Sequence, residues 1–254
     1  MPTRNVRAER GRPIAPLRVA ASHEAISRSV PFRTTNGMIV TIDGPAGSGK
    51  STAARGLAHR LGFDFLDTGA MYRAVAFALT RAGIDFADAD RVRTLLNDFQ
   101  LAMPPGRIEL DGEEITRLIR TPEIAAASSK VAVHAHVREY LVAQQRKIAR
   151  SRRMVCEGRD QGTIVFPDAF CKFFLVADAR ARARRRFDEM TKRGLNVTFD
   201  DVLQQQIERD ERDTANAIAP LKPAINAIIV DTSAMNAEEV LARLEEDVRR
   251  CLPG

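Results

Sequence analysis

The chain contains no tryptophan, and aromatic residues of all kinds make up 6% of its 254 positions. Its interior therefore has to be closed by aliphatic and alanine side chains, which the 44% hydrophobic content supplies. No stretch approaches the roughly 18 consecutive apolar residues of a membrane-spanning helix, so a helical membrane protein is excluded and a soluble one expected. The three cysteines, Cys156, Cys171 and Cys251, show no C-x-x-C spacing, and the histidines at 23, 59, 134 and 136 form no ligand pattern. That leaves no zinc motif and no disulfide framework. Each thiol is expected as a small packing residue in a protein of the reducing cytosol. Ser-His, Cys-His and paired-carboxylate arrangements are also missing, so the sequence offers no activated nucleophile or general base. The guanine-reading pattern N-K-x-D is absent, which argues against a regulatory GTP switch.

Acidic residues are scarce at one end only. Residues 1–37 hold seven arginines (Arg4, Arg7, Arg10, Arg12, Arg18, Arg28 and Arg33) against Glu9 and Glu24, so most of the formal charge of +6 lies there. A basic tail, not a basic fold, raises the isoelectric point, and no nucleic-acid-binding face is expected. Residues 1–36, with Pro, Arg and Ser but no apolar periodicity, are expected as a disordered basic extension, with Met38 as the functional start. Their composition also fits an RNA-attracting arm or a transit-like segment. Residues 37–254 are expected to fold as one α/β domain.

What is present in that domain is organised around Gly44-Pro45-Ala46-Gly47-Ser48-Gly49-Lys50-Ser51, a full match to G-x-x-x-x-G-K-[ST]. Its glycines let successive N–H groups curl around phosphate oxygens, and a helix starting near Lys50 adds the positive end of its dipole. The Lys50 ammonium then reaches the β- and γ-phosphates, while the Ser51 hydroxyl is the candidate Mg²⁺ ligand. The loop, extended through Thr52, is the candidate ATP site. Both flanks agree: Met38 to Ile42 reads as a buried parallel strand, and Ala53, Leu57, Ala58 and Leu61 recur at helical spacing before Gly62, a C-terminal cap.

Further along, a short strand is predicted to end at Asp67, and Thr68 is placed to cap a helix striped by Met71, Val75, Leu79 and Ala82. Arg73, a cation near the positive end of that helix, suggests a nearby phosphate or else a solvated surface position. Alternation about Asp111-Gly112 predicts a small antiparallel insert over 100–121. Thr121-Pro122-Glu123 starts another helix, and Arg138 lies on a further one with Val137, Leu141 and Ile148 on its apolar side. Met154 to Glu157, Phe173 to Val176 and Ala227 to Val230 read as sheet strands. Arg159 and Asp160 lie just past a strand's carboxyl end, where open α/β sheets bind ligands. As adjacent surface charges they would merely pair. Arg180, Arg182, Arg184, Arg185 and Arg186 crowd one helical segment, which alone reads as a solvated face. Arg209 and Asp213, at i and i+4, suggest an exposed ion pair.

Together these motifs resemble the cytidylate kinases of the P-loop nucleoside-monophosphate kinase superfamily. The resemblance runs from Met38 to about Leu244 and includes Ile42-Asp43-Gly44-Pro45, Leu66 to Ala70 with Tyr72-Arg73, Glu157 to Thr163, and Arg209 to Asp213 followed by Ala219-Pro220-Leu221. It implies a P-loop kinase fold: a five-stranded parallel sheet flanked by helices, with the antiparallel insert on the acceptor side and an arginine-rich helical lid over 177–194. It further implies transfer of the γ-phosphate of ATP to CMP or dCMP with Mg²⁺. Ser129 and Arg138 would contact the pyrimidine, Asp213 the ribose, and Arg73, Arg159 and Arg209 the phosphate, with Thr68 also lining the acceptor site. Arg182 and Arg185 would close over the triphosphate and share catalysis with Lys50 and Arg159. Asp160 can accept from the exocyclic amine of cytosine and would repel the carbonyl of uracil. Many relatives carry an arginine where this chain has Asn216, which shifts work onto Arg73 and Arg159. Because a nucleoside monophosphate is already mostly a dianion at neutral pH, with a second pKa of about 6, no general base is needed. Glu157 or Asp160 would orient metal-bound water. A cytoplasmic monomer is expected, and the rival readings are a kinase for UMP or AMP and a non-catalytic nucleotide-binding switch.

Overall fold

The computed structural model describes residues 37–251, so the disordered basic extension expected over 1–36 lies outside the described residues. The predicted strand at the phosphate loop is β1 (Met38–Asp43), the central strand of a five-stranded sheet. It runs parallel to β6 (Arg153–Gly158) on one side and to β7 (Cys171–Val176) on the other. The edges are β2 (Asp64–Asp67) beside β6 and β8 (Ile228–Asp231) beside β7, giving the order β2-β6-β1-β7-β8. The chain leaves β1 for one half of the sheet and later returns to build the other, so the carboxyl end of β1 is the topological switch point.

Strand side chains alternate between two apolar layers, as a period of two requires. Val40, Ile42, Val155, Phe173 and Leu175 pack with Ala53, Ala54 and Leu57 of α1 (Lys50–Leu61) and with Val240, Leu244 and Val248 of α8 (Ala237–Cys251). Ile39, Leu66, Met154 and Cys156 face the other layer. There they meet Met71, Val75 and Leu79 of α2 (Thr68–Arg81), Val92 and Leu96 of α3 (Ala89–Asp98), and Val137 and Leu141 of α5 (Ala135–Ala149). The interior is aliphatic, as the composition implies. Among the described residues no helix is long and apolar enough to cross a membrane.

Several local signals are realised. Gly62 closes α1 in the left-handed region (φ 65°), and Thr121 caps α4 (Pro122–Val131) by accepting from Ile124 N at 3.3 Å. Asp111 and Gly112 (φ 52° and 82°) turn between β4 (Glu109–Leu110) and β5 (Glu113–Glu114), and β3 (Leu101–Ala102) completes a three-stranded antiparallel sheet. The cap of α2 is a correction. Asp67, not Thr68, accepts from Ala70 N (2.8 Å); the stronger carboxylate acceptor takes the capping position and Thr68 becomes the first helical residue. Cys251 is a second correction, since it is exposed at the end of α8 with its Sγ 3.6 Å from that of Cys171. α3 and a π-helical turn, Gln161–Val165, were not anticipated. The arginine-rich segment is α6 (Ala179–Lys192), which packs on α7 (Phe199–Ala215); Arg184 lies 4.5 Å from the Phe199 ring centroid.

The start of the phosphate loop leaves no room for a side chain. At Gly44 (φ 148°) a Cβ would lie 2.2 Å from the Leu175 carbonyl oxygen, whereas at Gly62 nothing lies within 4 Å. Gly44→Ala should therefore cost about 2–5 kcal/mol in urea unfolding, from strain plus the clash with backbone. Gly62→Ala should cost only about 1–2 kcal/mol. Equal losses at the two sites would contradict this packing.

Candidate active site

The phosphate loop after β1 and the end of β2 at Asp67 border a cleft of about 1030 Å³, whose walls include Gly47, Lys50, Ser51, Arg73, Arg185 and Arg209. The phosphate loop forms its floor. Gly47 and Gly49 take positive φ (76° and 83°), which turns the chain into α1 without a Cβ in the way. Ala46 and Thr52 also line the cleft. Three side chains brace the loop. Gln206 Nε2 and Arg182 Nη1 both donate to the Ala46 carbonyl (3.0 and 3.1 Å), and Thr232 Oγ1 donates to the Ser48 carbonyl (3.1 Å).

Lys50 is buried and donates to the Pro45 carbonyl at 3.1 Å. Burial, and next the positive charge of Arg159, pull its ammonium pKa down to about 7. Ser51 Oγ donates to Glu157 Oε1 at 2.7 Å. Burial raises the Glu157 carboxyl pKa, opposed chiefly by the charge of Lys50. Thr68 Oγ1 donates to the Glu157 carbonyl at 2.6 Å, so the end of β6 is tied to the phosphate-loop helix and to α2.

Past the carboxyl end of β6 several predicted residues gather, but outside the cleft lining and with partners the sequence did not indicate. Arg159 and Asp160 do not pair with each other. Arg159 Nε donates to Asp213 Oδ2 (2.8 Å), and Asp160 forms a buried ion pair with Arg138, whose Nη1 also donates to the Tyr72 hydroxyl (3.3 Å). Burial raises the Tyr72 phenol pKa, so it stays neutral. The expected Arg209–Asp213 pair is thus replaced by Arg159–Asp213, because the strand end comes closer to Asp213 than its own helical neighbour does. Arg209 keeps its Nε buried without a hydrogen-bond partner, and burial together with Arg159 pushes its pKa down to about 10. Arg73 Nη2 donates to Asp67 Oδ2 at 3.2 Å while its Nε too is buried and unpartnered.

The arginine run is not simply a solvated face. Arg182 is buried and makes a bidentate pair with Asp210 (2.9 and 2.5 Å), and Arg185 Nη1 donates to Thr232 Oγ1 at 3.2 Å. Ser128 and not Ser129 lines the cleft, and Ser129 is half-buried beside it in α4. Asn216 is engaged in local structure: its Oδ1 accepts from Ile218 N and Ala219 N (3.0 and 3.2 Å). Sequence reading missed Asp210, Gln206, Tyr72 and Asp43. Asp43 left one signal, a carboxylate ending an otherwise apolar buried strand.

The cytidylate kinase family model matches residues 40–250. The chain is 45% identical to a cytidylate kinase of Thermotoga maritima over 214 residues, covering 84% of this chain and 97% of that protein. It is 43% identical to one of Carboxydothermus hydrogenoformans (84% and 98% covered) and 44% identical to one of Rhodopirellula baltica (85% and 94% covered). Matched along almost the whole described domain, with its phosphate loop and facing arginines at one sheet edge, the chain belongs to the cytidylate kinase family.

Proposed function

We propose that this protein transfers the γ-phosphoryl group of ATP to CMP and dCMP, giving ADP with CDP or dCDP. The observation that carries the reading is the buried Arg138–Asp160 pair just past the carboxyl end of β6, the strand beside β1 and its Lys50 phosphate loop, in a chain of this family. The donor triphosphate lies along Gly44 to Thr52, held by loop N–H groups, the dipole of α1 and Lys50. Arg182 and Arg185, on the lid over 177–194, neutralise charge on the triphosphate. On the acceptor side Arg73, Arg159 and Arg209 hold the phosphate, Asp213 the ribose, Thr68 adds to the acceptor site, and Ser129, Arg138 and Asp160 meet the pyrimidine edge. Asp160 accepts from the cytosine amine and faces the uracil carbonyl as a second acceptor, which sets specificity.

The residues also suit Mg²⁺. Ser51 Oγ and the Glu157 carboxylate, 2.7 Å apart at the loop, offer the hard oxygens that this ion takes in small number beside phosphates and water. When bound, the ion offsets charge on the transferring phosphoryl group. The acceptor phosphate is already the nucleophile, so the side chains supply position and charge without a general base. We place this chemistry in a monomer working in the cytosol.

ADP release from Mg·ATP with CMP, dCMP, UMP, AMP and GMP offered separately tests the function. CMP and dCMP should lead by an order of magnitude or more, and Asp160→Asn should cut the CMP-to-UMP ratio of kcat/KM roughly 5- to 150-fold, the ~1–3 kcal/mol of one base contact. No acceptor-dependent ADP would overturn the proposal. Replacing Arg182 and Arg185 by alanine should lower kcat at least a hundredfold and leave CMP affinity within a few-fold; equal loss of CMP affinity would remove the lid assignment.

Lys50 gives a pH prediction. With its pKa pulled to about 7 it is mostly neutral at pH 8, and a bound triphosphate restores the cation. ATP binding at pH 8 should therefore take up about one proton, uptake should fade toward pH 6, and Lys50→Met should abolish it. Calorimetry in buffers of different ionisation enthalpy reads this directly, and no buffer dependence at pH 8 would contradict it.

A further inference from the structure

Asp43 has no task in the transfer described above. It stands at the end of β1, one residue before the phosphate loop, and is 3% exposed. Its two carboxylate oxygens accept from two successive amides on a distant segment: Oδ1 from Gln161 N at 2.9 Å and Oδ2 from Gly162 N at 2.8 Å. These amides open the π-helical turn Gln161–Val165, which directly follows Asp160. Burial raises the Asp43 carboxyl pKa to about 7 even against these bonds, so this carboxylate is kept in the interior at a cost.

The same turn is gripped at its other end. Arg146 of α5 donates from Nε to the Val165 carbonyl (3.0 Å) and from Nη2 to the Ile164 carbonyl (2.9 Å). The Gln161 side-chain amide donates to Gln145 Oε1 at 3.1 Å, and the Asp160 carbonyl accepts from Ile164 N at 2.9 Å. Asp160 itself sits at φ −142°, ψ 22°, outside the helical and extended basins, so its conformation needs outside support. Room is short as well, since a Cβ at Gly162 would lie 2.9 Å from Thr41 Oγ1.

We propose that Asp43 is a positioning residue for base selection: by holding the amides of Gln161 and Gly162 it fixes the Asp160 carboxylate against the pyrimidine, with Arg146 as the opposite brace. This inference rests on the cytosine-reading role proposed above for Asp160. A π-turn is a strained element common at functional sites, and a turn held by a carboxylate at its amides and a guanidinium at its carbonyls has little freedom to shift. An asparagine at position 43 offers one acceptor oxygen and turns an N–H donor toward the second amide, so one bond is lost and the turn moves.

The test compares kcat/KM for CMP and UMP, and KM for ATP, in the native protein, Asp160→Asn, Asp43→Asn and Arg146→Lys, with circular dichroism and a thermal midpoint for each. A native protein without preference for CMP would sink the Asp160 reading itself. With that preference present and lost in Asp160→Asn, the inference expects Asp43→Asn and Arg146→Lys to lower the CMP-to-UMP ratio about tenfold through KM for CMP, with KM for ATP within twofold. An unchanged ratio in folded Asp43→Asn, or KM for ATP and CMP rising together at an unchanged ratio, would overturn it. Should Asp43→Asn not fold, Arg146→Lys decides: a lowered ratio supports the brace, and an unchanged one overturns it.

Discussion

The density of positive charge at one sheet edge is the constraint that the rest of the structure answers to. Two cations 4 Å apart repel by about 4 kcal/mol at an effective dielectric near 20, and this cleft gathers Lys50, Arg73, Arg185 and Arg209 with Arg159 and Arg182 beside them. Most of these guanidiniums rest on an aspartate: Arg73 on Asp67, Arg159 on Asp213, Arg182 on Asp210, and, deeper, Arg138 on Asp160. Lys50 and Arg209 form no ion pair among the described residues, and both are pushed toward the neutral form. A phosphate-bearing ligand is the complement such a site calls for.

These pairs also set the architecture. Arg159–Asp213 links the end of β6 to α7, Arg182–Asp210 fastens α6 onto α7, and Arg182 continues to the Ala46 carbonyl of the phosphate loop. The phosphate loop, the end of β6 and the arginine helix are therefore one connected network. Buried pairs of this kind add little net stability, but losing one partner strands a charge, so single substitutions here should do more harm than their contact lists suggest.

Much of this was legible in the sequence where local physics decides the outcome. The phosphate-loop glycines, the apolar runs of β1, β6 and β7, the Thr121-Pro122 cap and the Asp111-Gly112 turn each carry their structure within a few residues. What was not legible depends on partners far apart in the chain. The i, i+4 spacing favours Arg209 with Asp213, yet Arg159, 54 positions away, takes that carboxylate. Asp67 and Thr68 are both good caps, and only the geometry after β2 chooses between them. Asp43 stood just past the predicted strand Met38 to Ile42, and nothing near it in sequence reveals the amides of Gln161 and Gly162.

The central claim is that the protein contributes position and charge and never accepts the phosphoryl group itself. The side chains fit it: Cys156 and Cys171 are buried with their thiol pKa raised by burial, and the cleft wall is rich in cations, Lys50, Arg73, Arg185 and Arg209 among them. The most direct test is the stereochemical course at phosphorus, using ATP made chiral at a γ-thiophosphoryl group with CMP as acceptor. A single in-line displacement predicts inversion. Retention would mean two displacements through a phosphorylated side chain, and would contradict this account.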